Sequence, residues 1–128
     1  MTKKIPKNIL VVEDDTLLND AYKMILESNG HATRTAYDGK EALKLVKEQE
    51  PDIIFLDLRM PVMDGIEFLK EYQPQKNHKH VKVIVFSNYD MQQEVDQAYA
   101  LGAERYVLKA WASPKELLKL VEDIEVSR

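Results

Sequence analysis

The sequence contains no cysteine, so disulfide bonds and thiolate chemistry are excluded for this chain of 128 residues. No apolar run approaches the length of a transmembrane helix, and the early run Ile9–Val12 is too short for a signal sequence. The net charge of −4 gives no general affinity for nucleic acid or for anionic membranes. We therefore expect a cytoplasmic protein that binds neither nucleic acid nor a membrane directly.

Hydrophobic residues make up 45% of the chain and charged residues 31%, as in an ordinary globular protein. A chain of this length buries roughly two thirds of its unfolded surface in one core. Apolar runs and segments of helical periodicity alternate five times along it. The apolar runs predict strands at 9–12, 31–37, 52–57, 81–86 and 104–108.

Helices are predicted between and after these strands, and the polar segment 73–80 is expected to be a loop. The predicted N-terminal caps are Asp15, Asp38, Asp90 and Ser113, and the predicted glycine ends are Gly30 and Gly102.

Strands that alternate with helices indicate βα units and a mainly parallel sheet covered on both faces. The predicted fold is therefore α/β, a doubly wound (βα)5 domain whose five parallel strands take the flavodoxin-like order 2-1-3-4-5. The weaker pattern of residues 31–37 suits a strand at the sheet edge. Because no repeat, low-complexity tract or linker interrupts the pattern, we expect residues 1–128 to form a single domain with no output domain in this chain.

Polar side chains follow the predicted strands at the carboxyl edge of the sheet, where ligands bind in such folds. Taken singly, each has an ordinary interpretation as a cap, a turn residue or a solvated side chain. Together they place three carboxylates, one hydroxyl and one ammonium on the same edge. These residues are Glu13, Asp14, Asp57, Ser87 and Lys109.

Carboxylates held close together repel and raise each other's pKa unless a cation neutralises them. Oxygen ligands, with water in the remaining positions, suit Mg²⁺ better than zinc. One Mg²⁺ together with Lys109 roughly balances the three acids. Asp57 is then a candidate nucleophile toward phosphorus, because the metal and the ammonium screen its charge from the incoming phosphoryl oxygens.

The sequence closely resembles the receiver domain of bacterial two-component response regulators. The resemblance covers essentially the whole chain and rests on four motifs, "ILVVEDD", "FLDLRMPVMDGIEFL", "VIVFSN" and "ALGAERYVLKA". It implies that Asp57 accepts a phosphoryl group from the phosphohistidine of a sensor histidine kinase or phosphotransfer protein. It also implies that Asp14 is a direct Mg²⁺ ligand, that Glu13 binds the metal through water, and that Arg59 contributes its backbone carbonyl.

The resemblance implies a switch as well. Lys109 would contact the phosphoryl oxygens, Ser87 would move to hydrogen-bond them, and Tyr106 would swing inward behind Ser87. These movements would remodel the face made by the fourth predicted helix, the fifth strand and the last helix, which would bind a downstream protein or a second copy of the chain. The expected chemistry is self-directed phosphotransfer and dephosphorylation, so we do not expect an enzyme acting on a separate substrate.

The chain departs from the family where many receivers have a proline after the lysine and this sequence has Ala110. A cis bond without proline costs about 2.5–4 kcal/mol, so we predict a trans Lys109–Ala110 bond and an altered local loop. The bulky residues Arg59, Asn88 and Tyr89 are predicted to border the pocket. We hypothesise that they limit water access and lengthen the phosphoryl lifetime.

The predicted fold is compatible with three other functions. A phosphatase with an aspartyl intermediate typically needs a second carboxylate two residues after the nucleophile, where this chain has Arg59. A flavin or nucleotide site places glycines and hydroxyls after the first strand, where this chain has acids. A docking module that is never phosphorylated remains open. His31, His78 and His80 are expected far from the acidic edge and without a metal, and Trp111 either packs internally or contacts a partner.

Overall fold

Five parallel strands form one sheet in the structure, a computed structural model that describes residues 5–89, 91–111 and 113–124, with the backbone alone at Trp111. The sheet order is 2-1-3-4-5, which confirms the predicted α/β fold and places the second strand at an edge. The strands are β1 (Asn8–Val12), β2 (Ala32–Ala36), β3 (Ile53–Asp57), β4 (Lys82–Ser87) and β5 (Ala103–Leu108).

The helices in the described ranges are α1 (Thr16–Ser28), α2 (Gly39–Glu48), α3 (Gly65–Tyr72), α4 (Pro74–Asn77), α5 (Gln92–Ala100) and α6 (Pro114–Asp123). All except α4 were predicted. The one-turn helix α4 corrects the expectation of a polar loop at 73–80. Gln73 takes a left-handed φ of 50° at the end of α3, and Pro74 begins the new turn at a position where its missing N–H is not needed.

Three of the four predicted N-terminal caps are confirmed, whereas α5 begins at Gln92 with Met91 at its N-cap position and no side-chain cap. The side chains of Asp15, Asp38 and Ser113 accept backbone N–H groups at the starts of α1, α2 and α6. Asp90, the predicted cap of α5, lies outside the described residues.

Helix α3 has a cap that the sequence analysis missed. Asp64 accepts from the Glu67 N–H at 2.9 Å, and the Glu67 carboxylate accepts from the Asp64 N–H at 3.2 Å, which is a reciprocal capping box. Gly30 and Gly102 have φ values of 89° and 111°, so the two predicted glycine ends are confirmed in the left-handed region that glycine favours.

The central strands are apolar on both faces because helices cover both sides of the sheet. Alternate residues of β1 and β3 pack under α2, α3 and α5, and the intervening ones pack under α1 and α6. All five residues of β3 are buried, which explains why its sequence shows a continuous apolar run instead of alternation. No helix within the described ranges is long and apolar enough to cross a membrane.

The chain turns through a short 3-10 segment, Lys109–Trp111, after β5. No peptide bond among the described residues is cis, so the predicted trans Lys109–Ala110 bond is confirmed.

Arg34 joins the edge strand β2 to the end of α2. Its guanidinium donates to the Leu45 carbonyl at 2.7 Å and to the Gln49 carbonyl at 2.6 Å. These carbonyls belong to the last turn of the helix, where a cation is favoured by the helix dipole. Arg34 therefore stabilises both the helix end and the packing of α2 on β2.

We expect Arg34→Met to lower the free energy of unfolding by about 1–2 kcal/mol, because the carbonyls at the end of α2 lose two charged donors. Arg34→Lys should show an intermediate loss, since an ammonium cannot match the fork of the guanidinium. Urea denaturation measures both, with Lys40→Met at the exposed start of α2 as the control. Equal stability of Arg34→Met and the wild type would contradict the assignment.

Candidate functional site

A cavity of about 500 Å³ opens at the carboxyl edge of the sheet, where β1, β3 and β4 end. All of the side chains that were expected to converge at this edge line it. They are Glu13, Asp14, Asp57, Ser87 and Lys109. Further lining residues include Arg59, Asn88 and Tyr89, so the three bulky residues do border the pocket as predicted.

Strand register brings the first and third acids together. Val12 pairs with Leu56 across β1 and β3, so the next residues, Glu13 and Asp57, meet at the strand ends. One carboxylate oxygen from each of Glu13, Asp14 and Asp57 lies within 4.8 Å of the others. Oxygens at this spacing can all contact one cation, because metal–oxygen distances are about 2.0–2.6 Å.

Lys109 lies opposite the acids at the end of β5. Its ammonium is 2.6 Å from Glu13 Oε1 and 3.0 Å from Asp57 Oδ2. Glu13 is fully buried and Asp57 is only 4% exposed, whereas Asp14 is exposed. One ammonium therefore faces two buried carboxylates, and a third carboxylate lies at the solvent side.

Burial controls the ionisation of these groups. It raises the pKa of Glu13 to about 7, with a further contribution from the charge of Asp57, and Lys109 offsets only part of the shift. Burial likewise raises the pKa of Asp57 despite its contact with Lys109. Burial alone would lower the pKa of Lys109, but its ion pairs with Glu13 and Asp57 outweigh that effect and raise it.

The residues present fit a hard divalent cation. The donor set consists of oxygen atoms alone, and it carries more negative charge than Lys109 neutralises. Glu13 Oε1 is buried and, apart from its ion pair with Lys109, accepts no aligned hydrogen bond from the described residues. Oxygen ligands and surplus negative charge favour Mg²⁺ over zinc, in agreement with the interpretation of the sequence.

The loop after Asp57 is folded so closely that glycine is required at its end. A Cβ on Gly65 would lie 2.5 Å from the Asp57 carbonyl oxygen and 2.8 Å from Leu58 Cα. The Gly65 N–H donates to the Leu58 carbonyl at 2.9 Å and closes the loop. This contact holds the backbone after Asp57 against the start of α3.

Val62 adopts a strained conformation in the same loop. Its φ is 68°, and the Met63 N–H donates to the Pro61 carbonyl at 2.7 Å, which makes a γ-turn centred on Val62. A β-branched residue is rarely found with positive φ, and the Val62 side chain is 76% exposed. Sequence reasoning missed this strain, because valine carries no signal for a left-handed backbone.

The two expected switch residues both contact Tyr89. Ser87 is fully buried, and its Oγ accepts from the Tyr89 N–H at 3.2 Å. The Tyr106 hydroxyl donates to the Tyr89 carbonyl at 2.7 Å, while the Tyr106 N–H donates to the Tyr99 hydroxyl at 3.0 Å. Tyr106 is thus half-buried against the core and held beside the loop that carries Ser87.

The Arg59 side chain does not lie free in the cavity. It forms an ion pair with Glu94 on α5 at 2.5 Å, and its guanidinium carbon lies 3.9 Å from the centroid of the Tyr89 ring. Its backbone N–H donates to Asp57 Oδ1 at 3.2 Å. Glu94 was not predicted, because one acid on an exposed helix face carries no signal of a partner 35 residues away.

Asn19 is a further positioning residue that the sequence analysis missed. It is fully buried, and its Nδ2 donates to the Glu13 carbonyl at 2.9 Å and to the Ala36 carbonyl at 3.2 Å. These bonds tie the ends of β1 and β2 at the point where the acidic residues begin. The available signal was a polar residue on the same helical face as Tyr22 and Leu26.

The histidines lie at the opposite edge of the sheet. His78 and His80 both contact the Glu50 carboxylate, the latter at 3.0 Å, near the starts of β3 and β4. His31 is buried beside β2, where its Nδ1 accepts from the Lys7 N–H at 3.1 Å. The predicted distance from the acidic edge is confirmed, and the side chain of Trp111 lies outside the described residues.

We expect the free energy of unfolding of the metal-free wild type, relative to Glu13→Gln, to fall as the pH rises from about 5 to about 8. Folded protein holds a proton on Glu13 with a pKa of about 7, whereas the ordinary pKa of a glutamate side chain is 4.5. Protonation of Glu13 therefore stabilises the folded protein fully below the pKa of Glu13 in the unfolded chain. This stabilisation is lost as the pH rises through the higher pKa of Glu13 in the folded protein. Urea denaturation in EDTA across this range measures it, and a difference that is independent of pH would contradict it.

Comparisons with known proteins agree with this geometry. The family model of the response regulator receiver domain matches residues 9–122. The polar-differentiation response regulator DivK of Brucella anthropi is 29% identical over 111 residues, which cover 87% of this chain and 90% of the relative.

Solved structures of related proteins share the fold over nearly the whole chain. The chemotaxis protein CheY4 of Vibrio cholerae superposes with a TM-score of 0.84 at 27% identity, covering 94% of this chain and 100% of that one. The receiver domain of the Francisella response regulator 1452 is 34% identical, with a TM-score of 0.78 over 90% of this chain and 93% of that one. Since the matched span runs from the first strand into the last helix, the chain belongs to the response regulator receiver domains of two-component signal transduction.

Proposed function

We propose that this chain accepts a phosphoryl group on Asp57 from the phosphohistidine of a sensor histidine kinase or phosphotransfer protein, in a step that requires Mg²⁺. One observation carries the proposal. The Asp57 carboxylate ends a buried strand with the Lys109 ammonium 3.0 Å away and with the oxygens of Glu13 and Asp14 close enough to share one cation. Membership of the receiver family supports the same role.

The proposed metal ligands are Asp14, Asp57, Glu13 through a water molecule, and the backbone carbonyl of Arg59. Bound Mg²⁺ would neutralise the acids and screen the charge of the incoming phosphoryl oxygens. A carboxylate oxygen of Asp57 attacks phosphorus, the P–N bond to the donor histidine breaks, and the imidazole nitrogen keeps the electron pair. Lys109 stabilises the charge that spreads over the phosphoryl oxygens in the transition state.

Phosphorylation then shifts a conformational equilibrium. The phosphoryl group adds a charge of about −1.5 to −2 and three acceptor oxygens, which favour the conformer that brings the Ser87 hydroxyl within reach. Ser87 already touches the Tyr89 N–H, so its movement disturbs the loop whose carbonyl holds Tyr106. Tyr106 moves inward and changes the face formed by α5, β5 and α6, which binds a downstream protein or a second copy of the chain.

The proposed chemistry is limited to the protein's own phosphoryl group. Arg59 occupies the place two residues after Asp57 where phosphatases with an aspartyl intermediate carry a second acid, and its side chain is bound to Glu94. The domain therefore takes part in transfer and later in hydrolysis of its own acyl phosphate, without turning over a separate substrate.

Intact-mass spectrometry with a small phosphodonor tests the proposal. Wild-type protein with Mg²⁺ should gain one phosphoryl mass, and omission of Mg²⁺ or the substitution Asp57→Asn should abolish the gain. Asp20→Asn removes an exposed carboxylate from α1 and should leave labelling unchanged. Labelling of Asp57→Asn at the wild-type level would refute the assignment of the acceptor.

Removal of the bulky side chains beside the pocket should shorten the lifetime of the phosphoryl group. We expect Arg59→Ala and Tyr89→Ala to hydrolyse about fivefold faster, the factor that corresponds to a barrier lowered by ~1 kcal/mol. Decay of the phosphorylated mass after removal of the donor measures the rate, and Arg105→Ala on the exposed side of β5 is the control. Unchanged decay in both variants would show that these residues do not limit water access.

A further inference from the structure

One connected set of contacts joins the loop after β3, the loop after β4, α5 and β5. The Arg59 guanidinium pairs with Glu94 at 2.5 Å and lies over the Tyr89 ring at 3.9 Å. The Tyr106 hydroxyl donates to the Tyr89 carbonyl at 2.7 Å. We name these four residues, Arg59, Glu94, Tyr89 and Tyr106, the arginine latch.

Arg59 lies between the acidic cavity and a neighbouring groove, and each of them contains negatively charged side chains. It lines the acidic cavity together with Asp57 and Lys109, and it also lines an adjoining groove of about 440 Å³ that contains Glu94. The backbone N–H of Arg59 donates to Asp57, whereas the side chain is paired with Glu94. Rotation of one side chain would therefore exchange Glu94 for an anion in the cavity.

Tyr89 connects Arg59 to both switch residues. Its N–H donates to Ser87 Oγ at 3.2 Å, its carbonyl accepts from Tyr106, and its ring lies under the Arg59 guanidinium. If the Arg59 guanidinium moves away from the Tyr89 ring, Tyr89 loses one of the contacts that fix its position. The peptide that holds Ser87 and Tyr106 then becomes free to shift.

We propose that the arginine latch stabilises the unphosphorylated conformation of Tyr89 and Tyr106. It opens when the Arg59 guanidinium leaves Glu94 for the phosphoryl group on Asp57. This inference rests on the proposed phosphorylation of Asp57. A phosphoryl group with about two negative charges and three acceptor oxygens competes effectively with a single carboxylate for an arginine. The latch gives a second route from Asp57 to Tyr106, beside the route through Ser87.

The contacts of the latch have the modest strength that a reversible switch needs. The side chains of Arg59 and Glu94 are 49% and 26% exposed, so solvent and salt screen their attraction. The contact with the Tyr89 ring is a cation–π interaction at a partly exposed site, which is also modest. Interactions of this size shift conformer populations a few-fold and do not lock the domain.

Two variants separate the latch from simple shielding of the cavity. Glu94→Gln frees Arg59 and keeps its charge, whereas Arg59→Met removes the guanidinium altogether. Asp96→Asn is the matched control, because Asp96 lies on the same helix and contacts Gln92 instead. The readouts are the affinity for beryllofluoride, a phosphoryl analogue, in Mg²⁺, and fluorine NMR of fluorotyrosine-labelled protein with the Tyr106 signal assigned through Tyr106→Phe.

Before beryllofluoride is added, the Tyr106 signal of both Glu94→Gln and Arg59→Met should lie closer to the position of the loaded wild type. The affinities should change in opposite directions. Glu94→Gln should bind beryllofluoride about threefold more tightly because Arg59 is already released, and Arg59→Met about threefold more weakly because the analogue loses the guanidinium. Asp96→Asn should match the wild type in both readouts.

Wild-type positions of the Tyr106 signal in both variants, or a Glu94→Gln affinity equal to that of the wild type, would overturn the latch while leaving phosphorylation intact. A wild type that takes up neither beryllofluoride nor a phosphoryl group would instead overturn the proposed function. The two failures are therefore distinguishable.

Discussion

The burial of two carboxylates beside a single ammonium at the edge of an apolar sheet is the constraint on which the rest of the site depends. Glu13 and Asp57 are buried side by side, and Lys109 contacts both of them without balancing the full charge of the cluster. In water these acids would separate, but the paired ends of β1 and β3 hold them together. The energy stored in this arrangement supports the proposal that a cation binds there and that Asp57 then accepts a phosphoryl group.

The surrounding backbone is arranged to maintain that position. Asn19 ties the end of β1 to β2, and Gly65 allows the loop after Asp57 to fold back against the strand. The γ-turn at Val62 adds backbone strain in the loop after Asp57, where close contacts on both sides of the loop keep it in place. The carboxylates are thus fixed by main-chain geometry, while the neighbouring Arg59 side chain is half exposed and Tyr106 is only partly buried against the core.

Features that depend on local pattern were predictable from the sequence, and those that depend on distant partners were not. Buried strands, helix caps and the convergence of acids follow from apolar runs, cap residues and the geometry of parallel sheets. Arg59 pairs with Glu94 and stacks on Tyr89 only in the folded protein, where separate segments meet. No residue spacing in the sequence therefore predicts these contacts. The helix α4 was missed because a single turn is too short to show a period. The strain at Val62 was missed because its side chain favours extended structure.

The strands of the sheet are buried to different extents, and this determines which part of the domain can change conformation most easily. Every residue of β3 is buried, whereas β5 is buried at its first residue only and is exposed or half-exposed along the rest. Close-packed interiors resist deformation, so a disturbance at the acidic edge cannot spread by bending the central strands. Local rearrangement on the side of β5 disturbs less buried structure than rearrangement of β3, so the proposed response to phosphorylation of Asp57 can reach the surface there without disturbing the core.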